Sequence, residues 1–382
     1  MNNKPLKACG IIAEYNPFHN GHAHHVAQTK RLMTSDVLVS VMSGNWVQRG
    51  EVALLDKWTR TQAALESGVD LVVELPNEFA VQAADYFGLG AMKVAKQLEL
   101  SELSFGVENR EIMADLVSHK DTIPLEKTLS MIEKDFSKSH AQRFSRDTLM
   151  LPNQLLAYTY IKGMRTLNYD MTLLPIERVV SNHSDKTLSN GDIASATAIR
   201  LARTHHQDVS TYVPKLIDDA LQKRCYNDTL FWQLLKYQII QSSLEELRHI
   251  YQMSEGIEHV LKREVAVARD YADFLNRVQN KRFTKKRLQR LCVYIVLRWT
   301  TEIIQNRFEK NSVPLRVLGF SPKGKAYLKQ LDNTSYTTQF KKGDMDTFST
   351  MIHADKVYEQ LMFVSEQNFK RVVRVDDNYE SL

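Results

Sequence analysis

From Ala8 to about residue 175, short apolar runs alternate with stretches whose apolar residues recur three and four positions apart. The runs read as buried strands and the amphipathic stretches as helices that cover them. The pattern predicts strands at Ala8–Ala13, Asp36–Met42, Leu71–Leu75, Leu103–Phe105 and Met171–Pro175, with helices at Gly21–Leu32, Lys57–Ser67, Ala83–Leu98 and Asn153–Leu167. Strands joined through helices pair in parallel, because each helix carries the chain back to the edge where the next strand begins. The fold class is therefore α/β, with an open, doubly wound parallel sheet.

Between about residues 108 and 150 the pattern weakens. Arg110–Ser118 and Glu126–Asp135 look helical, and the segment reads as a helical insertion. Beyond about residue 205 the texture changes to long helical patterns at Leu230–Gln241, Leu244–Gln252, Ile257–Phe274 and Leu288–Asn306. Two units are expected, an α/β unit over 1–204 and a mostly α-helical unit over 205–382.

No apolar run approaches the roughly 18 residues needed to span a bilayer. The start, MNNKPLKACG, lacks the segments of a secretion signal. Cys9, Cys225 and Cys292 lie far apart with no CxxC pair, which argues against a zinc knuckle or disulfide framework and fits a reducing cytoplasm. A net charge of +5 and a pI of 8.8 are compatible with an RNA partner without requiring one. Neither a membrane nor DNA is expected as a partner.

The first strand runs into "EYNPFHNGHAHH", where His19, His22, His24 and His25 fall within seven positions. In an open α/β sheet, ligands sit outside the carboxyl ends of the strands, where helix N-termini present N–H groups and the positive end of the dipole. Asn20-Gly21 supplies a turn that tolerates tight geometry, and Gly21 lets a polyphosphate approach. His19 before the helix and His22 in its first turn then point at one anion. Donors placed there stabilise charge developing on a phosphoryl group during displacement, which suits nucleotidyl transfer. A surface histidine cluster and a metal site are the alternatives; the lack of thiols or an HExxH carboxylate counts against metal.

"SATAIR", residues 195–200, opens another helix. Ser195 and Thr197 suit a helix start that binds outer phosphates, with Arg200 closing the far side, although an ordinary N-cap would look the same. "MSGNWVQRGEVALLDKWTR" places Arg49, Lys57 and Arg60 after the second strand, where they meet an anionic ligand or lie on an exposed helix face. "SFGVE" ends a strand with Gly106, where a base or ribose can lie close, although an ordinary turn glycine would look the same. "NKRFTKKRLQRL" holds Lys281, Arg282, Lys285, Lys286, Arg287 and Arg290 without an acid, a candidate RNA-backbone patch or else a solvated face. Lys323 and Lys325 of "SPKGKAYLKQL" form a weaker candidate of the same kind.

Taken together, "GIIAEYNPFHNGH", "MSGNWVQRGE", "DLVVELP", "SFGVE", "LPNQLL", "SATAIR", "RFTKKRLQRL" and "RVLGFSPKGKAYLKQL" resemble, in order, the signature segments of the bacterial tRNA(Met) cytidine acetate ligases. The resemblance runs from about Gly10 to about Leu331. It implies a Rossmann-like nucleotidylyltransferase domain followed by a helical domain that helps hold tRNA. It implies a reaction in which acetate and ATP, bound with Mg2+, give acetyl adenylate and pyrophosphate, and the acetyl group passes to N4 of the wobble cytidine of elongator tRNA(Met). Catalysis would fall to His19, His22, Ser195, Thr197 and Arg200.

By the same resemblance the ATP site would comprise Ile12, Ala13, Glu14, Tyr15, Asn16, Pro17, Phe18, His19, Asn20, Gly21, His22, Ala23, His24 and His25, with Gly106, Asn153, Arg178 and Val179. The sequence departs from the family's usual FGSE and PNNILG at Val107, Gln154 and Ala157. Two other readings stay open, an adenylyltransferase acting on a small phosphorylated molecule and a non-catalytic RNA-binding protein.

Overall fold

The first apolar run forms strand β1 (Ala8–Ala13), and α1 (Asn20–Leu32) returns the chain to β2 (Val37–Ser43). A short hairpin of β3 (Trp46–Val47) and β4 (Glu51–Val52) precedes α2 (Lys57–Glu66) and β5 (Leu71–Leu75). Then come α3 (Asn77–Ala80), α4 (Ala84–Gln97), β6 (Glu102–Val107), α5 (Pro152–Thr166) and β7 (Thr172–Glu177). This computed structural model describes residues 4–107, 152–178, 188, 191–224, 228–331 and 334–375. The expected insertion over about 108–150, with its two helical stretches, lies outside the described residues.

β1 lies at the centre of the sheet, parallel to β2 on one side and to β6 on the other. The order β7-β6-β1-β2-β5 means that the chain leaves the centre in both directions, so the topological switch point falls between β1 and β6. Both faces are covered. Val37, Val39 and Val41 of β2 pack into one core with Phe87 and Met92 of α4 and Tyr160 of α5, while Leu38 and Met42 join Val26 of α1 and Trp58 of α2 on the other face. Each such side chain, fully buried, contributes about 1.5–3 kcal/mol.

After β7, α6 (Ala196–Thr204) and α7 (Lys215–Gln222) still pack on the sheet, α7 against α2. A helical body follows: α8 (Asp228–Gln241), α9 (Leu244–His249), α10 (Ile257–Val267), α11 (Tyr271–Val278), α12 (Lys285–Val296) and α13 (Thr301–Glu309). Two long helices expected from the pattern are each split. Asp270 caps α11 by accepting from Asp273 N–H, and Thr300 caps α13 by accepting from Ile303 N–H. These short polar side chains end one helix and start the next within an unbroken apolar periodicity.

The second half also returns to the sheet. β8 (Leu315–Phe320) pairs antiparallel with β5, and after α14 (Pro322–Gln330) it gains β9 (Tyr336–Thr337); after α15 (Ser349–Met362) it gains β10 (Val373–Arg374). The expected division at residues 204 and 205 therefore cuts through a shared sheet. The reason is local: LRVLGF is too short a run for periodicity to tell a strand from a helical turn. Among the described residues no helix is long and apolar enough to cross a membrane.

The two halves are locked by charge. Lys57 Nζ lies 2.8 Å from Glu74 Oε1 and 2.6 Å from Asp355 Oδ2, and Arg316 Nη1 lies 3.5 Å from Asp355, with all four side chains fully buried. α2 and β5 supply one pair; β8 and α15 supply the other. Two cations balance two anions, so removing one leaves an uncompensated buried charge. Lys57→Met is expected to cost about 3–5 kcal/mol in urea unfolding; a loss below about 1 kcal/mol would show that the quartet does not hold the halves together.

Candidate active site

A cleft of about 230 Å³ opens at the carboxyl ends of β1, β6 and β7, at the switch point. Ile12, Ala13, Glu14, Tyr15 and Asn16 line it from the end of β1, His19 from just before α1, Gly21, His22, His24 and His25 from α1, Gly106 from β6, Asn153 from α5, Arg178 from the end of β7 and Arg200 from α6. Fourteen residues predicted from sequence thus meet in one place.

The corner after β1 is shaped from several sides. Tyr15 takes φ 50°, turning the chain sharply after the strand. The fully buried guanidinium of Arg60 donates to the carbonyls of Glu14 (2.7 Å), Ser43 (2.9 Å), Gly44 (2.5 Å) and Leu55 (2.9 Å), tying the ends of β1 and β2 together. Asn16 Oδ1 accepts from Leu54 N–H, and Asn16 O accepts from Arg200 Nη1 at 2.6 Å. Asn20 Nδ2 donates to the carbonyls of Asp192 and Thr211, fastening the start of α1 to the approach to α6. The two sequence motifs are thereby held as one unit.

His19 is the N-cap of α1, and its N–H donates to His22 Nδ1 at 3.3 Å. The acceptor nitrogen is unprotonated, so in the neutral His22 ring the proton sits on Nε2. The two imidazoles stack with centroids 3.8 Å apart, and Tyr15 and Phe18 pack on His22 at 4.9 and 5.6 Å. Gly21 makes this possible: a Cβ there would lie 2.8 Å from His19 Cε1. Its task is to admit the histidine ring, where the sequence suggested only room for a polyphosphate.

Arg49, Arg178 and Arg200 line the cleft together with Glu14, Glu51 and Glu177. Burial pushes the Glu14 carboxyl above its ordinary range, opposed by the Gln48 N–H and by Arg200 and Arg49. His25 hydrogen-bonds Ser104 Oγ through Nε2; burial, then Arg178 and His24, pull its pKa down to about 4. An apolar wall of Phe87, Phe105, Leu156, Tyr160 and Ile176 completes the lining. Sequence reasoning missed this wall, which reads only as ordinary core positions.

Other expected residues serve the site from behind it. Phe18 is fully buried, and Pro17, Asn20 and Ala23 do not line the cleft. Ser195 Oγ caps α6 by accepting from Ala198 N–H, and Thr197 Oγ1 accepts from Arg200 Nη2; only Ala196 and Arg200 of that motif reach the lining. Lys57 and Arg60 neither meet the cleft nor lie on an exposed face, being consumed by the ion quartet and the carbonyl clamp. Val107, Gln154 and Ala157, the departures from the family pattern, are buried outside the lining. Val179 lies outside the described residues.

The basic patch begins α12. Arg282 pairs with Glu255, and Arg287 donates to Arg282 O and Ser254 Oγ while lying 3.9 Å over the Phe283 ring, so these two are engaged internally. Lys281, Lys285 and Lys286 are exposed. The helix abuts the cleft: Gln289 Nε2 donates to Glu51 Oε1, and a Cβ on Gly50 (φ 77°) would lie 2.4 Å from Arg290 N. Lys323 and Lys325, by contrast, follow β8 at the sheet edge opposite the cleft, since Phe320 pairs with Leu71 at the start of β5.

A switch-point cleft with an HxGH corner suits a nucleotidyl transferase, and the family described as HIGH Nucleotidyl Transferase matches residues 6–372. A Lactobacillus gasseri protein named tRNA(Met) cytidine acetate ligase is 38% identical, over 96% of this chain and 98% of its own. The crystal structure of Thermotoga maritima TmcAL (apo, form I) superposes with a TM-score of 0.82 at 25% identity, covering 97% of this chain and 100% of that one. A second structure of that protein, bound with alpha-thio ATP, gives 0.78 at 24% identity over the same shares and speaks to the fold. The chain belongs to the tRNA(Met) cytidine acetate ligase family of the HIGH nucleotidyl transferases.

His25 carries a pH consequence. Its folded pKa of about 4 lies below the unfolded value of about 6.5, so the unfolded chain binds its proton first. Its contribution to stability is complete above about pH 6.5 and is lost as pH falls towards 4. Calorimetry should find that the Tm gap between the wild type and His25→Phe narrows from about pH 7 to about pH 5; an unchanged gap would contradict a ring held neutral in the fold.

Proposed function

We propose that the protein is an ATP-dependent tRNA acetyl ligase acting in the cytoplasm. Acetate attacks the α-phosphate of ATP, releasing pyrophosphate and forming acetyl adenylate. The N4 amine of the wobble cytidine of elongator tRNA(Met) then attacks the acetyl carbonyl, losing a proton and releasing AMP to give N4-acetylcytidine. The observation that carries this reading is the convergence of the stacked His19–His22 pair and Arg200 on one switch-point cleft. The chain's kinship with proteins named for this reaction narrows the class to the ligase.

The residues divide the work. His22 presents Nε2–H and Arg200 a fixed cation, both suited to charge that builds on the phosphoryl oxygens. Ser195 and Thr197 act through α6 and Arg200, by capping the helix and holding the guanidinium. Arg49 and Arg178 add positive charge at the rim, and Gly106 with Asn153 and the apolar wall bounds the nucleoside end. That wall keeps water from the mixed anhydride until the amine arrives. Mg2+ would arrive with the nucleotide and add positive charge at its phosphate oxygens.

Delivery of the acceptor is supported by the seam at Gly50. The second turn of α12, at Gln289 and Arg290, is seated on the hairpin that lines the cleft, so RNA held by Lys281, Lys285, Lys286 and Arg290 lies beside Arg49 and Glu51. Aromatic or cationic stacking on a splayed anticodon loop would add to phosphate contact.

His22→Ala should lower acetate-dependent ATP–pyrophosphate exchange by at least about 100-fold while leaving tRNA affinity within about twofold; retained exchange removes His22 from phosphoryl stabilisation. Reversing Lys281, Lys285 and Lys286 to Glu should leave exchange largely intact. The same change should weaken tRNA binding and flatten its log–log salt slope by about two units. Unchanged affinity and slope would mark the patch as a solvated face. Nucleoside analysis after incubation with ATP, acetate and tRNA(Met) should reveal acetylated cytidine.

A further inference from the structure

His25 differs from His22 in the nitrogen it leaves free: both neutral rings carry the proton on Nε2, but His22 Nδ1 already accepts from His19 N–H, whereas His25 is bonded through Nε2. Its Nε2 is 3.0 Å from Ser104 Oγ, Ser104 Oγ is 2.8 Å from Thr29 Oγ1, and Thr29 Oγ1 is 2.8 Å from the carbonyl oxygen of His25 itself. A carbonyl only accepts, so Thr29 gives it the hydroxyl proton. Ser104 then donates to Thr29, having the only proton left between the two hydroxyls. With that proton spent, Ser104 can only accept from the ring, and His25 must be the Nε2–H tautomer. Its low pKa keeps the ring neutral at pH 7. The remaining nitrogen, Nδ1, carries a lone pair, has no partner among the described residues and is not sealed from solvent, in a ring that lines the cleft.

A neutral lone pair is the wrong partner for phosphate or acetate, whose oxygens are also acceptors. Its complement is an O–H or N–H donor. Triphosphates carry none on their phosphates at neutral pH; the nucleoside carries them on the ribose and on the purine amine. His25 also sits on the β6 side of the cleft, bonded to Ser104 two residues before Gly106 and close to Arg178. We propose that His25 is a specificity-determining residue whose Nδ1 accepts a hydrogen bond from the nucleoside moiety of the bound nucleotide, a ribose hydroxyl or the 6-amino group. It is thereby separated in function from His19 and His22. This rests on the reading that a nucleoside triphosphate occupies the cleft.

The test is acetate-dependent ATP–pyrophosphate exchange without tRNA, comparing ATP with 2′-deoxy-ATP, 3′-deoxy-ATP and purine riboside triphosphate, which lacks the amine. His25→Leu should raise KM for ATP about tenfold, with the effect falling on KM more than on kcat. For the one analogue that lacks the bonded donor, the wild type should already show that loss and the variant should add nothing. That analogue identifies the donor. Ser104→Ala, which releases the tautomer, should give part of the same loss. Equal penalties for ATP and all three analogues would overturn the inference, as would a variant whose defect lies in KM for pyrophosphate. No exchange at all by the wild type would instead bring down the ligase reading, and this inference with it. Independently of catalysis, 15N-histidine NMR at pH 7 should show a neutral ring protonated at Nε2 in the signal that His25→Leu removes. A ring protonated at Nδ1, or a charged one, refutes the assignment.

Discussion

The buried guanidinium of Arg60 is the constraint on which the rest of the site depends. Removing such a charge from water costs several kcal/mol. The cost is offset by hydrogen bonds to four main-chain carbonyls, which as bonds to a charged donor are worth about 1.5–3 kcal/mol each. A carbonyl is fixed in direction by its peptide plane, so satisfying all four at once leaves the chain little freedom where β1 and β2 end. Lysine at this position would keep the charge but not the planar fork. From that fixed corner the chain enters α1, and the placement of His19 and His22 follows.

The second half of the molecule is bound to the same corner by different means. Glu14 accepts from Gln48 N–H of the hairpin, Glu51 of the hairpin accepts from Gln289 of α12, and Trp46 Nε1 donates to Ala354 O of α15. Gly50 makes the hairpin's meeting with α12 possible, because its left-handed conformation and the 2.4 Å approach to Arg290 N both exclude a side chain. A two-step reaction through a mixed anhydride needs its two substrates within one guarded space. A hairpin that touches the cleft with one edge and the basic helix with the other meets that geometric demand without a large moving part.

How far the sequence could be read depended on which physical signal each residue carries. Strands β1 and β5 were legible to the residue because burial in the middle of the sheet leaves short, mostly apolar runs between helical patterns. The HxGH corner and Arg200 were legible because small and polar residues between a strand and a helix are rarely needed for packing alone. Lys57 and Arg60 were misread, since nothing in a helical pattern tells an exposed cation from one buried against carboxylates or carbonyls contributed hundreds of residues away or by a turn of main chain. β8 was not legible because LRVLGF is too short a run for periodicity to separate strand from helical turn, and its pairing with the distant β5 leaves no local mark. The aromatic wall was invisible for the same reason: Phe87 and Tyr160 occupy ordinary core positions of their helices, and only the packing of α4 on α5 turns them towards a ligand.

The cluster of histidines at the corner resolves into unlike parts. The His19–His22 pair stacks with centroids 3.8 Å apart at the start of α1, and arginines bring formal positive charge to the same cleft. His25 is held neutral by burial and by Arg178. The cleft thus grades from donors and cations at the helix start to a neutral acceptor and an apolar wall on the β6 side. A nucleotide grades in the same sense, from a charged triphosphate to an uncharged base. The order of residues along α1 is what aligns one gradient with the other.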